Sequence, residues 1–363
     1  MKVALHLTHD CNLRCTYCYA GKKYDKHMSR ETAEAAVRFA HANSTRGVDL
    51  SFFGGEPLLE KEVLWHTVDY AHAWRKSVGQ TLPLRFFVTT NGMLLDEPFL
   101  KKARETSLEV SLSLDGHGRG HDLTRTLPDG SGSFEKLAAL FPLILDYFPQ
   151  IQILVTFTPG NLPYLAEGVE KLYFSGFRRF VVGPNYEETW TEEHLITLAA
   201  QYRGLAAFYE ARMRADEPIQ IGIFDPKIAA HTGRIPEICS CCDKNDGEIA
   251  IAPSGNLYPC LRFVKGDEDH ALLIGNLATG IDFKARARIM AAAARENPAC
   301  ATCGYRGRCF HYCVAVNFKV TGKFDHAPAV LCRQEQIAID LADEIAARLY
   351  ADRVPMFMRR FYS

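Results

Sequence analysis

Surplus charge is nearly absent from this chain: 42 Lys and Arg face 43 Asp and Glu, a formal −1. A balance so close to zero offers no dedicated surface for nucleic acid or for an anionic membrane. Long apolar runs are missing too, and nothing approaches the ~18 consecutive residues of a bilayer-spanning helix. The amino terminus is strand-like and reaches His6 and Asp10 too early for a secretory signal. The expected compartment is the cytoplasm, with no nucleic acid and no membrane as partner. Cysteine, by contrast, is plentiful. Twelve cysteines in 363 residues, without an export signal, point to metal ligands more than to disulfides. The length leaves room for one large domain and a smaller one.

Three thiols, Cys11, Cys15 and Cys18, stand at Cys-x3-Cys-x2-Cys spacing just after residues 3–8, an apolar run that reads as a first β-strand. A loop at the C-terminal end of a strand is where α/β enzymes keep their chemistry. Three cysteines this close can wrap one iron–sulfur cluster, which normally takes four thiolates. The iron left over is then open to a reactant. A zinc knuckle is the alternative, but it wants a fourth ligand, and His27, the next histidine, stands at no familiar spacing. Simple buried thiols are the plainest reading.

With Tyr17 as its aromatic, this motif resembles the signature of the radical SAM superfamily. There the open iron chelates S-adenosylmethionine (SAM), and an electron from the 4Fe–4S cluster cleaves it to methionine and a 5′-deoxyadenosyl radical. The following sequence alternates β-rich runs at 48–53, 84–90, 108–114, 151–157 and 178–182 with helical stretches. Ser29 caps a helix carrying Ala33, Ala36, Val37 and Ala40, and another helix is expected near 61–77. Repeated βα units imply a parallel sheet with helices outside. Periodicity suits a doubly wound sheet equally well. The resemblance implies an α/β fold in the form of a partial (β/α)6 TIM-like barrel, over residues 1–215.

The strand ends carry further candidates. Gly54 and Gly55 can let backbone approach a ligand closely, and Glu56, before Pro57, can accept from an ammonium. Loop punctuation alone would explain the same residues. Thr90 and Asn91 end the third run and can be only a turn. Ser113 and Asp115 alternate onto one face after the fourth, a hydroxyl and a carboxylate that suit a ribose diol, unless Asp115 makes an Asx turn. By the resemblance, the Gly-Gly-Glu-Pro segment holds the amino group of SAM and Thr90 and Asn91 lie at the SAM site. Arg125 resembles the arginine that contacts the SAM carboxylate, a partner its guanidinium fork suits.

After a helical stretch at 192–213 the cysteines return. Cys242, Cys260, Cys300, Cys303, Cys309, Cys313 and Cys332 match the SPASM domain of radical SAM enzymes, and Gly255 fits the turn of a hairpin carrying Cys260. Zinc ribbons compete with that reading. The resemblance implies two auxiliary 4Fe–4S clusters, three clusters in all. Cys300, Cys303, Cys309 and Cys332 would hold the distal one; Cys242, Cys260 and Cys313 the proximal one. Cys239 is favoured over Cys241 as the fourth proximal ligand, because Cys239-x2-Cys242 chelates with less strain than vicinal thiols. The expected division is a linker over 216–236, the small, irregular SPASM domain over 237–335 and a C-terminal helix and tail over 336–363. The helix itself would run from 334 to 349, and the tail has no assigned role.

Enzymes of this kind usually modify peptide or protein side chains, with reduced flavodoxin or ferredoxin as electron donor. Maturation of a ribosomal peptide by crosslinking is the leading expectation. Anaerobic sulfatase maturases, which make formylglycine, carry an aspartate after the cysteine that closes the hairpin. Here that residue is Leu261, which removes the proton acceptor oxidation needs. Cys11 lies so near the start that leader recognition would fall to a separate protein or to the SPASM surface. A non-catalytic iron–sulfur carrier is the third possibility, and no catalytic base is assigned.

Overall fold

The apolar periods translate directly into elements in the computed structural model, which describes residues 1–232, 248–268, 270–295, 297–309 and 313–362. First come β1 (Lys2–His6), α1 (Arg30–Ala42), β2 (Val48–Phe53), α2 (Lys61–Ser77), β3 (Leu84–Thr90), α3 (Glu97–Glu105) and β4 (Leu108–Ser113). Three short helices follow, α4 (Arg119–Asp122), α5 (Phe134–Ala138) and α6 (Phe141–Tyr147). The chain continues through β5 (Gln152–Phe157), α7 (Leu165–Phe174), β6 (Arg179–Pro184), α8 (Glu192–Arg214), β7 (Gln220–Ile221) and α9 (Asp225–His231). Four short strands come next, β8 (Ile249–Ile251), β9 (Asn256–Tyr258), β10 (Gly275–Asn276) and β11 (Gly280–Ile281). The last helices are α10 (Phe283–Ala293), α11 (Pro298–Ala301), α12 (Val314–Thr321), α13 (Ala329–Ala351) and α14 (Pro355–Phe361).

These elements form two compact units. The first gathers Met1–Arg14, Cys18–Leu112 and the described part of Cys239–Ala294. Its strands lie in the order β11-β10-β9-β8-β1-β2-β3-β4. Pairing is parallel from β8 to β4, with Val3 opposite Leu50 and Val88 opposite Val110, and antiparallel in the hairpins beyond. Val3, Leu5, Leu50, Phe52, Phe86 and Val88 are buried, which is the apolar face each strand presents. Helix α1 buries Ala33, Ala36, Val37 and Ala40, and the Ser29 hydroxyl accepts from the Thr32 N–H at 3.1 Å, a cap worth about 1 kcal/mol. The expected hairpin is β8–β9, turned at Gly255 with φ +85°.

The second unit holds Cys15–Tyr17 and the described parts of Ser113–Ile238 and Arg295–Ser363. Strands β5, β6 and β7 pair in parallel, Val155 opposite Val182 and Phe180 opposite Ile221. Residues expected as a linker instead supply β7 and α9, because Ile219, Ile221, Phe224 and Ile228 are apolar enough to be buried. The boundary expected after residue 335 falls inside α13, which starts behind Pro328 and buries Ala338, Ala342, Ile345 and Leu349. The unassigned tail is α14. It buries Phe357 and Phe361 and sets Arg360 2.8 Å from Asp225. Among the described residues no helix is long and apolar enough to cross a membrane.

Candidate active site

The loop after β1 is built before any cysteine is reached. Thr8 Oγ1 accepts from the Asp10 N–H at 3.0 Å, and Asp10 Oδ1 accepts from the Cys11 N–H at 2.7 Å. The end of β2 crosses directly over this turn: Gly55 N–H donates to Thr8 O at 2.7 Å and Glu56 N–H to Asp10 O at 2.9 Å. A Cβ on Gly55 would stand 1.9 Å from Asp10 O, and one on Gly54, whose φ is +141°, 2.5 Å from Thr8 O. The glycines therefore bring backbone onto backbone.

Glu56 is 1% exposed and faces inward. Its carboxylate accepts from Leu58 N–H at 3.0 Å, Thr90 Oγ1 at 2.7 Å and Asn91 N–H at 2.8 Å. Donors from the turn after β2 and from the end of β3 thus converge on this carboxylate. Pro57 opens the short turn that follows. Asn91 in turn donates through Nδ2 to Asn12 Oδ1 at 2.7 Å and reaches Cys11 Sγ at 3.8 Å. Leu13 N–H points at the same sulfur, 3.4 Å away. Cys18 Sγ receives the Lys23 ammonium at 2.9 Å. Glu56, Thr90 and Asn91, drawn from the ends of two strands, thus meet Cys11 in the first unit.

The second unit contains the middle of the motif. Thr16 N–H donates to Thr124 O at 2.9 Å, and the Tyr17 hydroxyl donates to Asp115 Oδ2. Asp115 is a buried hub. It accepts from Thr124 Oγ1 at 3.0 Å and Thr156 N–H at 2.9 Å, and lies 2.9 Å from Arg125 Nε. This carboxylate is held by several protein donors, and Ser113 is not among them. Arg125 also reaches Cys15 Sγ at 3.9 Å and lies over the Tyr17 ring at 5.5 Å. Burial pulls the Arg125 pKa down, but the Asp115 carboxylate, Tyr17 and Cys15 push it up and prevail. Burial raises the Tyr17 pKa well above the usual phenol range. Burial, with Arg125 nearby, pushes His121 far below the usual imidazole range; it sits neutral between Asp115 N–H at 3.3 Å and Ser133 Oγ at 2.9 Å.

A separate cavity of about 250 Å³ lies wholly in the second unit. Cys300, Cys303, Cys309 and Cys332 all line it, together with Tyr305 and Glu335. Asn297 caps α11 beneath Cys300, accepting from Ala299 N–H at 3.0 Å, and Cys332 sits on the first turn of α13. Burial, then the Cys300 and Cys303 thiols, push the Cys332 pKa up. Among the described residues no three His, Cys, Asp or Glu side chains are placed to share a single metal ion. Cys260 follows β9 in the first unit and Cys313 caps α12 in the second. Cys239, Cys241 and Cys242 lie outside the described residues.

Sequence reasoning missed Asn12, Lys23, Thr124 and His121. Asn12 and Lys23 had a usable signal, being polar residues in or beside the cysteine loop. The others are brought in only by folding.

Residues 5–172 match the Radical SAM superfamily. The chain is 31% identical over 175 residues to an uncharacterized protein of Methanocaldococcus jannaschii, an alignment covering 48% of this chain and 59% of that one. It is 29% identical over 269 residues to a cysteine-type anaerobic sulfatase-maturating enzyme of Clostridium perfringens, covering 69% of this chain and 71% of that one. Among solved structures, native anSMEcpe with bound AdoMet superimposes with a TM-score of 0.81 at 19% identity, over 97% of this chain and 99% of that one. Streptococcus suis SuiB bound to the precursor peptide SuiA gives 0.63 at 15% identity, over 91% and 75%. The chain carries a radical SAM domain. More narrowly, it is similar to anaerobic sulfatase-maturating enzymes and has the α/β fold of anSMEcpe, with a parallel-sheet core, together with a cysteine-rich C-terminal region of its own.

Such a domain implies a 4Fe–4S cluster and SAM, and the donor set fits. Each motif thiol has a donor or cation of its own: Asn91 and Leu13 for Cys11, Arg125 for Cys15, Lys23 for Cys18. Positive and hydrogen-bonding surroundings favour the thiolate that binds iron.

Proposed function

We propose that this protein is a radical SAM oxidoreductase acting on a peptide or protein side chain, and that it matures a ribosomal peptide by forming a crosslink. When bound, the cluster supplies the electron that cleaves SAM to methionine and a 5′-deoxyadenosyl radical, which removes hydrogen from the substrate. Cys11, Cys15 and Cys18 hold that cluster. Asn91, Arg125 and Lys23 orient and neutralise the thiolates, while Asp115 and Glu56 hold Arg125 and Asn91 in place. The Glu56 carboxylate can accept from the SAM ammonium, and a guanidinium N–H of Arg125 can donate to the SAM carboxylate. Gly54, Gly55, Pro57, Thr90 and Tyr17 shape the backbone around them.

The observation that carries the reading beyond a bare radical SAM domain is the four-thiol cavity. Cys300, Cys303, Cys309 and Cys332 in one enclosure are the ligand set of a closed cluster. A proximal cluster would take Cys242, Cys260 and Cys313, closed by Cys239. Clusters of this kind carry electrons, and a crosslink formed from a substrate radical must dispose of one. Reduced flavodoxin or ferredoxin would supply electrons to the first cluster, and a separate leader-recognition protein would present the peptide. Both anSMEcpe, solved with Cp18Cys peptide, and SuiB, solved with SuiA, are peptide-bound relatives in fold, which supports a peptide substrate.

Sulfatase maturation is a second reading, favoured by the homology over 269 residues. Leu261 supplies no carboxylate, but Glu248 accepts from the Leu261 N–H at 3.3 Å, so one stands beside that backbone. The test is anaerobic incubation of reconstituted, reduced protein with SAM and either a sulfatase peptide or a short precursor peptide encoded beside its gene. Release of 5′-deoxyadenosine with a mass loss of two hydrogens and a new crosslink in the precursor peptide is expected. Formylglycine in the sulfatase peptide would replace this reading with the second. Absence of 5′-deoxyadenosine under every condition would leave an iron–sulfur carrier.

A further inference from the structure

Lys227 has no place in the chemistry above, yet it is only 1% exposed. It rises from α9, and its Nζ donates to Glu335 Oε2 and lies 3.4 Å from the Arg308 carbonyl oxygen. Glu335, itself buried on α13, is one of the residues lining the four-thiol cavity. Arg308, the residue before Cys309, is fixed in its turn. Its Nη1 donates to Asp343 Oδ2 at 2.6 Å, and Nη2 donates to Asp343 Oδ1 and to the Lys227 carbonyl at 3.3 Å. Lys227 thus grips both a residue of the cavity wall and the backbone that presents one of its thiols.

Stability does not account for such a pair. Taking an ammonium and a carboxylate out of water costs several kcal/mol per ion, and apolar residues of similar volume commonly do as well. The neighbourhood does account for it. Four thiolates and Glu335 all bring negative charge to one cavity, and Lys227 is the buried cation joined to that wall. In low-dielectric surroundings a charge this near acts with little screening. Cluster potentials respond to net charge and to the dipoles and charges around the sulfurs.

We propose that Lys227 is the resident counter-charge of this cavity, compensating Glu335 and the cysteine thiolates, and that the pair sets how readily a cluster held there accepts an electron. The proposal rests on the reading that Cys300, Cys303, Cys309 and Cys332 bind an auxiliary cluster. Lys227 is accordingly a positioning residue: it touches neither substrate nor SAM. A positive charge favours the more reduced, more negative form of a cluster, so its removal makes reduction harder. Loss of the Glu335 charge acts in the opposite sense.

The experiment is a redox titration of the anaerobically reconstituted full-length protein, followed by electron paramagnetic resonance, with iron and sulfide measured for every variant. Lys227→Met is expected to lower the midpoint potential of one cluster signal and leave the others in place. Glu335→Gln should raise the same signal, and the double variant should return towards the wild type. Lys227→Arg, which keeps the charge, should stay near the wild type, and with Glu335→Gln it carries the test if Lys227→Met does not fold. Unmoved potentials in Lys227→Met and Glu335→Gln, with iron intact and only melting temperature altered, would make the pair a structural pin and overturn the proposal. Cys300→Ser alone does not separate this from the underlying reading. Because three thiols or a serine oxygen can still hold iron, the deciding variant is Cys300/Cys303/Cys309→Ala: if it loses no iron, the cavity binds no cluster and both fall; if it loses iron while the charge variants leave every potential unmoved, the proposal alone falls.

Discussion

Cys11 and Cys15 meet donors from far along the chain, Asn91 eighty residues away and Arg125 one hundred and ten, whereas the thiols of the C-terminal cavity sit on local turns. Cys303 N–H donates to Cys300 O at 3.2 Å, Cys309 N–H to Tyr305 O at 3.1 Å and Cys332 N–H to Pro328 O at 3.2 Å. In the amino-terminal loop Cys11 and Cys15 meet side chains from far along the chain, Asn91 after β3 and Arg125 after α4, and Cys18 meets Lys23 of the loop itself. In the cavity the backbone around the cysteines is tied locally, and the buried Lys227–Glu335 pair adds a long-range contact beside it. A loop braced by several strand ends can hold one face of a cluster open without collapsing. A cluster held by all four cavity thiols, as proposed, would have no position left to offer, which suits electron transfer.

The largest contrast should come from removing ligands at each place in turn. Wild-type protein with three clusters should hold about twelve iron and twelve sulfide. Cys11/Cys15/Cys18→Ala is expected to keep about eight of each and to release no 5′-deoxyadenosine. Cys309→Ala should also lose iron yet still cleave SAM slowly without substrate, because the reacting loop is untouched. Equal loss of SAM cleavage in both would show that the two places do not divide the work as described.

Breaking the brace of the loop, while sparing its thiols, should cost less. Asp115→Asn leaves Arg125 buried beside Cys15 without its carboxylate, a change of about 3–5 kcal/mol for a buried pair that loses one partner. Thermal unfolding should shift down accordingly, and iron bound by the first cluster should become labile to chelators. An equivalent change at an exposed pair such as Arg359–Asp216 should be close to neutral. Glu56→Gln is milder again. It keeps the shape, weakens charge-assisted bonds to Thr90 and Asn91 worth roughly 1.5–3 kcal/mol each, and should appear mainly as weaker SAM binding by equilibrium dialysis. Full SAM affinity in that variant would move the ammonium contact elsewhere.

The smallest effect separates neighbours in sequence. Cys239→Ala should perturb the spectrum or iron content of the proximal cluster, while Cys241→Ala should leave both unchanged. If neither variant loses iron or activity, the proximal cluster is held by three protein thiols, and an open iron there could bind a substrate thiolate for thioether formation.

What the sequence determined alone is chiefly local. Six strand runs and the long helices were legible because apolar periodicity and caps such as Ser29 act within a few residues. The cysteine spacings were legible for the same reason: three thiols within eight residues, or Cys300-x2-Cys303, are neighbours in any fold. The hairpin turn at Gly255 needed only a positive φ. Tertiary structure decided what the polar strand ends are for. That Gly54 and Gly55 lie against the Thr8–Asp10 backbone, where a Cβ has no room, shows only once β2 is laid over that turn. That Arg125, Tyr17 and Thr156 gather around Asp115 was likewise decided by folding. Lys227 and Glu335, 108 residues apart, carried no signal at all. A buried charge is bearable only beside its partner, and which partner that is depends on distances in space that no local pattern encodes.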